Sequence, residues 1–85
     1  MFAIKYSKQA VKIKAKMPKD IAKRIDDELE SIATDPAKYE GDWQPFQGSP
    51  FWRLRVGVWR VICRIIKKEL IIYVLKIGTR GDIYK

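Results

Sequence analysis

The chain is expected to fold as an α+β domain in the order β-α-α-β-β-β. Two N-terminal helices would pack on one face of a twisted antiparallel meander sheet. Three observations predict this. Apolar residues recur at helical spacing only between residues 7 and 35. From Phe51 onward they alternate with polar ones, or run together as β-branched stretches. Between the two regions lies an aperiodic stretch with Pro36, Gly41, Pro45, Gly48 and Pro50. At 85 residues the chain is one domain over 1–85, with a thin core.

Phe2 to Tyr6 alternates apolar and polar residues and reads as a first strand. Ser7 offers an N-cap to a short helix carrying Ala10, Ile13 and Met17 at helical spacing. Pro18 closes that helix and is tolerated at the start of the next, where a missing N–H loses no partner. Ile21, Ile25, Leu29, Ile32 and Ala33 then recur every three to four residues, with charged residues between them. This amphipathic helix ends at Asp35-Pro36. Residues 36 to 50 read as a loop whose Tyr39, Trp43 and Phe46 pin it to the core; base stacking by these rings is the alternative.

The β half follows. Trp52, Leu54 and Val56 alternate with Arg53 and Arg55, and Trp59 to Ile66 form the next strand after Gly57-Val58. Lys67-Lys68-Glu69 is a charged turn into a last strand from Leu70 to Ile77, which Gly78 breaks before a polar tail. If the hairpin turns on Gly57 and Val58 alone, Val56 pairs with Trp59, Arg55 with Arg60 and Arg53 with Ile62. That register sets Arg53, Arg55, Arg60 and Arg64 on one face and leaves the other face to the helices. A bulge would shift the pairing by one, and Gly-Val is not among the strongest turn dipeptides.

Composition narrows the function classes. With 47% hydrophobic and 33% charged residues the chain is a folded protein and not a disordered one. The single cysteine, Cys63, excludes an internal disulfide, and the absence of histidine removes the commonest metal ligand and general base. The longest apolar run, Leu70 to Leu75, is strand-length, so no membrane span is expected. Met1-Phe2-Ala3 leads into charged residues without a signal peptide, and a cytoplasmic protein is expected.

The formal charge of +8 is uneven. Residues 1–48 carry nine Lys/Arg against eight Asp/Glu, whereas residues 49–85 carry nine against two and hold five of the six arginines. After residue 48 only Glu69 and Asp82 could neutralise the arginine face. An arginine-rich, carboxylate-poor face beside aromatics points to RNA or DNA phosphate, since the planar guanidinium suits that group. Arg80 follows the last strand, and Tyr84 could stack on a base, move a proton or simply pack.

The run Trp52-Arg53-Leu54-Arg55-Val56-Gly57-Val58-Trp59-Arg60-Val61-Ile62 resembles the R-x-R-V-G-x-[YW]-R-V-I hairpin of the RelE/ParE superfamily of type II toxins. Ile77-Gly78-Thr79-Arg80, Tyr84, Asp35-Pro36, Ser7 and Ala10 extend the likeness to essentially the whole chain. For RelE-type members it implies a ribosome-dependent endoribonuclease that cuts mRNA in the A site by attack of a 2′-OH on the adjacent phosphate, without metal or other cofactor. The resemblance assigns catalytic roles to Arg53 and Arg55 as the basic pair, to Arg60 and Arg80 as charge stabilisers, and to Tyr84. Well-studied members carry lysines in the basic pair, where this chain has arginines. Arginine does not give up its proton, so acid–base work falls to Tyr84. The implied partners are a cognate antitoxin, in a toxin–antitoxin hetero-oligomer, and the ribosome with its mRNA. A ParE-like inhibitor of DNA gyrase and a non-cleaving RNA- or ribosome-binding module are the alternatives.

Overall fold

The computed structural model describes residues 1–46 and 48–79. Along the chain these form β1 (Ala3–Tyr6), α1 (Lys8–Lys16), α2 (Lys19–Thr34), β2 (Trp43–Pro45), β3 (Phe51–Val56), β4 (Trp59–Ile66) and β5 (Ile71–Thr79). A short 3₁₀ turn, Lys67–Glu69, joins β4 to β5. The five strands form one sheet in the order β1-β5-β4-β3-β2. The expected meander is present as β3, β4 and β5, all antiparallel. The sheet as a whole is mixed, because β1 pairs in parallel with β5.

Local chemistry sets the helices. Ser7 caps α1, its Oγ accepting from the Ala10 N–H at 3.1 Å. The same hydroxyl donates to the Leu75 carbonyl at 2.6 Å, and the Ser7 N–H donates to Val74 at 2.8 Å. Gln9 continues along this edge, with Nε2 donating to the Ile77 carbonyl and Oε1 accepting from the Ile77 N–H. Two side chains thus extend the edge pairing of β5 beyond the end of β1. Pro18 stands at the N-cap of α2 and its carbonyl accepts from Ala22, which turns the chain without a side-chain cap.

Both helices lie on one face of the sheet. Ala10 and Met17 from the first helical segment, and Ile25, Leu29, Ile32 and Ala33 from α2, meet Leu54, Val56, Val61, Cys63, Ile72, Val74 and Ile77. These follow the periods of 3.6 for the helices and 2 for the strands, except that the irregularity at Leu75 moves the core face of β5 from the 72, 74 phase to Ile77. Asp26 ties the layers together, accepting from the Tyr6 hydroxyl and from Lys14 Nζ, each at 2.7 Å. Lys14 also lies 4.2 Å from the Tyr6 ring centroid.

The loop expected over 36 to 50 contains a strand. Trp43, Gln44 and Pro45 pair with Leu54, Arg53 and Trp52. Three residues show no readable period, and Pro45 is accommodated because β2 is an edge strand. Tyr39 and Trp43 do pin this segment, since both pack against the core. Trp43 also stacks on Trp52 with centroids 5.1 Å apart. The Tyr39 hydroxyl donates to Glu28, and a Cβ at Gly41 would overlap the end of that ring, so a larger residue there would have to displace the Tyr39 side chain.

The ends of the last strand also differ from expectation. Leu70 stands outside it in the left-handed region (φ 53°), closing the 3₁₀ turn. Gly78 does not break β5 but pairs with Arg60 inside it.

Burial, followed by the hydrogen bond to Asp26, raises the pKa of Tyr6, and burial and Glu28 do the same for Tyr39. Burial pushes the Cys63 thiol up to about 12. Each folded-state value lies above its unfolded one, so the stabilisation is complete below the unfolded values and is lost as pH rises through the folded ones. The thermal midpoint should therefore fall between about pH 9 and pH 11, and fall less steeply in Tyr6→Phe. A flat profile to pH 11 would contradict this assignment.

Candidate nucleic-acid interface

The β3–β4 hairpin has the register expected for a two-residue turn, with Val56 opposite Trp59, Arg55 opposite Arg60 and Arg53 opposite Ile62. Gly57 has φ 60°, whereas Val58 is not in the positive-φ region. Glycine at the first central position is the requirement of a type II′ turn, which explains how a Gly-Val pair closes the hairpin.

This register places Arg53, Arg55, Arg60 and Arg64 on the sheet face opposite the helices. Pairing with β5 extends the face, setting Lys76 beside Ile62 and Gly78 beside Arg60. An irregularity between Ile62 and Cys63 skips Leu75 and brings Tyr73 opposite Arg64. Cross-strand rows are therefore Arg55–Arg60–Gly78, Arg53–Ile62–Lys76 and Phe51–Arg64–Tyr73.

The arginines are held differently. Arg60 is buried, at 8% exposed, and its Nη1 donates to the Val58 carbonyl at 3.4 Å. Gly78 beside it contributes no side chain. Arg53 and Arg55 share Asp42, with Arg55 Nε 3.3 Å from Oδ2 and Arg53 Nη2 3.7 Å from Oδ1. The Asp42 carbonyl also accepts from the Arg55 N–H at 3.0 Å, which fixes the loop against β3. The expectation of a face without a neutralising carboxylate is thus corrected: Asp42 reaches it from the segment before β2. Arg55 directly opposite Arg60 would cost up to about 1 kcal/mol, and the nearby carboxylate offsets that repulsion.

The clamp is incomplete. Arg53 Nε and Asp42 Oδ1 are both buried without a hydrogen-bond partner. Two guanidinium groups share one carboxylate, so the cluster keeps a net positive charge and an unsatisfied donor. Asp42 carried no signal in the sequence, because it lies in an aperiodic loop and only the β2 pairing brings it to Arg53 and Arg55.

Arg53, Arg55 and Arg60 are therefore brought together on the face opposite the helices. Arg80 and Tyr84 lie outside the described residues. Glu69 sits in the exposed 3₁₀ turn at the far end of β4, away from the Arg55–Arg60 row. Cys63 is buried on the core face with a raised pKa and takes no part in this surface. Among the described residues no helix is long and apolar enough to cross a membrane.

A family model described as the ParE toxin of the type II toxin-antitoxin system parDE matches residues 4–84. No curated protein matches the chain. Among solved structures, the archaeal RelE-RelB complex from Pyrococcus horikoshii OT3 contains a chain 28% identical with a TM-score of 0.80, covering 95% of this chain and 97% of that one. A chain of the RelB-RelE antitoxin-toxin complex from Methanococcus jannaschii is 23% identical with a TM-score of 0.76, covering 94% of each. In the intact E. coli RelBE toxin-antitoxin complex the values are 13% and 0.80, covering 94% of this chain and 98% of that one. The last two likenesses bear on the fold alone.

Proposed function

This chain belongs to the ParE toxin family of type II toxin–antitoxin systems, within the RelE/ParE superfamily, and on that premise we propose that it is a ribosome-dependent endoribonuclease that cleaves mRNA. The observation that carries the reading is the row Arg55–Arg60 on the helix-free face, with Arg53 beside it. Three guanidinium groups on one rigid strand pair suit an RNA phosphate better than they suit one carboxylate. Asp42 balances only one of the two charges of Arg53 and Arg55, which leaves a net positive charge beside Arg60 for a phosphate to meet.

The reaction would run as attack of a 2′-oxygen on the adjacent phosphorus. The 2′-hydroxyl gives up its proton as a new P–O bond forms a 2′,3′-cyclic phosphate, the P–O5′ bond breaks, and the 5′-oxygen takes up a proton, so the step is a transesterification with no net proton change. Arg60, with Arg80 from the tail, would stabilise charge on the phosphorane. Arg53 and Arg55 would orient the backbone, and Tyr84 would stack on the nucleotide or move a proton. A cognate antitoxin is the protein partner, as in the RelE-RelB and RelBE complexes that share the fold.

Inhibition of DNA gyrase is the second reading. The ParE description of the family model and the partial neutralisation of Arg53 and Arg55 by Asp42 favour it.

Ribosomes programmed with a defined mRNA and incubated with the purified protein separate the two. Cuts mapping to the A site, lost in Arg80→Ala and Tyr84→Phe, are the expected result. Intact mRNA together with blocked gyrase supercoiling would replace the first reading by the second.

A further inference from the structure

We propose that Phe51, Arg64 and Tyr73 form a nucleobase-stacking site for single-stranded RNA, beside the arginines that would hold its phosphates. The inference rests on the reading of the chain as an RNA-cleaving toxin and names where the neighbouring nucleotide would lie. Phe51 is the register partner of Arg64, and Arg64 that of Tyr73, so one row crosses β3, β4 and β5. Strands lie about 4.8 Å apart, so the backbones of Phe51 and Tyr73 stand roughly 10 Å from one another with that of Arg64 between them.

Phe51 and Tyr73 are therefore not direct cross-strand partners, since Arg64 on β4 stands between them in the register. Neither the Trp43–Trp52 stack nor the Lys14–Tyr6 cation–π contact involves any of these three residues. Arg64 is exposed and makes none of the ion pairs of the described residues, which engage Lys14, Arg53 and Arg55. Neither ring belongs to the core cluster, which lies on the other face. Two half-buried rings and an exposed guanidinium therefore stand in one row on the side of the sheet opposite the helices.

Charge and spacing both favour an RNA strand as the occupant. Lys5, the partner of Tyr73, extends the row with a further cation, and the row contains no carboxylate. Phe51 is two residues from Arg53, about 7 Å along β3. A backbone held by Arg53 could thus place an adjacent base on this row. Aromatic and arginine planes on a sheet are what sequence-tolerant stacking of unpaired bases requires.

The test compares a labelled single-stranded 2′-O-methyl RNA, which resists cleavage, with an abasic ribose-phosphate strand of equal length. Binding to the full chain is followed by fluorescence anisotropy at several salt concentrations. The wild type should bind the RNA more tightly than the abasic strand. Phe51→Leu and Tyr73→Leu should each lower RNA affinity about fivefold or more, with abasic affinity and the salt dependence unchanged. Tyr73→Phe should bind as the wild type does, because the ring and not the hydroxyl stacks. Equal binding of the two strands by the wild type would overturn the proposal. So would leucine variants that fold, by circular dichroism, and bind RNA normally while Arg53→Ala does not; the RNA reading itself would survive both results. Binding of neither strand by the wild type would remove the RNA reading, and this site with it. A leucine variant that abolished self-association without affecting RNA binding would make the row a contact between copies and overturn the proposal.

Discussion

Leu54→Ala is expected to lower stability by about 2–5 kcal/mol, the range for removing a large aliphatic side chain from a packed core. Leu54 is fully buried at the middle of β3, paired with Val61 on one side and Trp43 on the other. Both neighbours are held by their strands, so the cavity has little freedom to collapse. A domain this small has a total stability on the order of 4–13 kcal/mol, and one such deletion removes a large share of it. The thermal midpoint should drop by more than about 10 °C. Val58→Ala, at an exposed turn position 69% accessible, serves as the contrast and should shift it little. Thermal unfolding followed by circular dichroism checks both; a Leu54→Ala midpoint within a few degrees of wild type would show that the core is not packed as described.

Arg60→Ala is expected to cut mRNA cleavage on programmed ribosomes about 10²–10³-fold, the usual cost of removing one preorganised charge stabiliser. Arg60 is the most buried of the arginines on its face, and its bond to the Val58 carbonyl holds the side chain at the hairpin. Low local dielectric strengthens its interaction with a developing negative charge. Asp42→Asn should act with the opposite sign on binding. It removes the carboxylate that Arg53 and Arg55 share, so affinity for a single-stranded RNA should rise several-fold at low salt, and the gain should shrink as salt is raised. Product mapping on a sequencing gel measures the first effect and an RNA-binding titration the second. Cleavage unaffected in Arg60→Ala would remove that residue from the chemistry.

The packed core and the arginine face differ in how far the sequence discloses them. The core was legible because it follows from periodicity: Ile25, Leu29 and Ile32 at helical spacing, Leu54, Val56, Val61 and Cys63 at alternate positions. The hairpin register followed from the same alternation plus one assumption about Gly57-Val58, which the φ of Gly57 justifies. That register sufficed to collect Arg53, Arg55, Arg60 and Arg64 on one face. Ser7 as a helix cap was equally local, since its partner is three residues away.

Asp42 was not legible. A carboxylate in a loop has no periodic signature, and its approach to Arg53 and Arg55 depends on β2 joining the edge of the sheet. The row Phe51–Arg64–Tyr73 was hidden for a related reason. Its last member is set by the irregularity at Leu75, which no local propensity marks. The parallel pairing of β1 with β5 joins segments some 68 residues apart in the chain, as the Ser7 bond to Leu75 records.

The sequence by itself determined the α+β class, the two helices, the hairpin and the side of the sheet on which the arginines lie. These depend on interactions between residues close in the chain, where spacing fixes which face a side chain takes. Only the tertiary structure decided that the sheet is mixed, that Gly78 stays within its last strand, and that a carboxylate already sits between two of the arginines. Those outcomes arise from pairings between distant segments, which cost loop entropy to form and leave no repeating pattern in the chain.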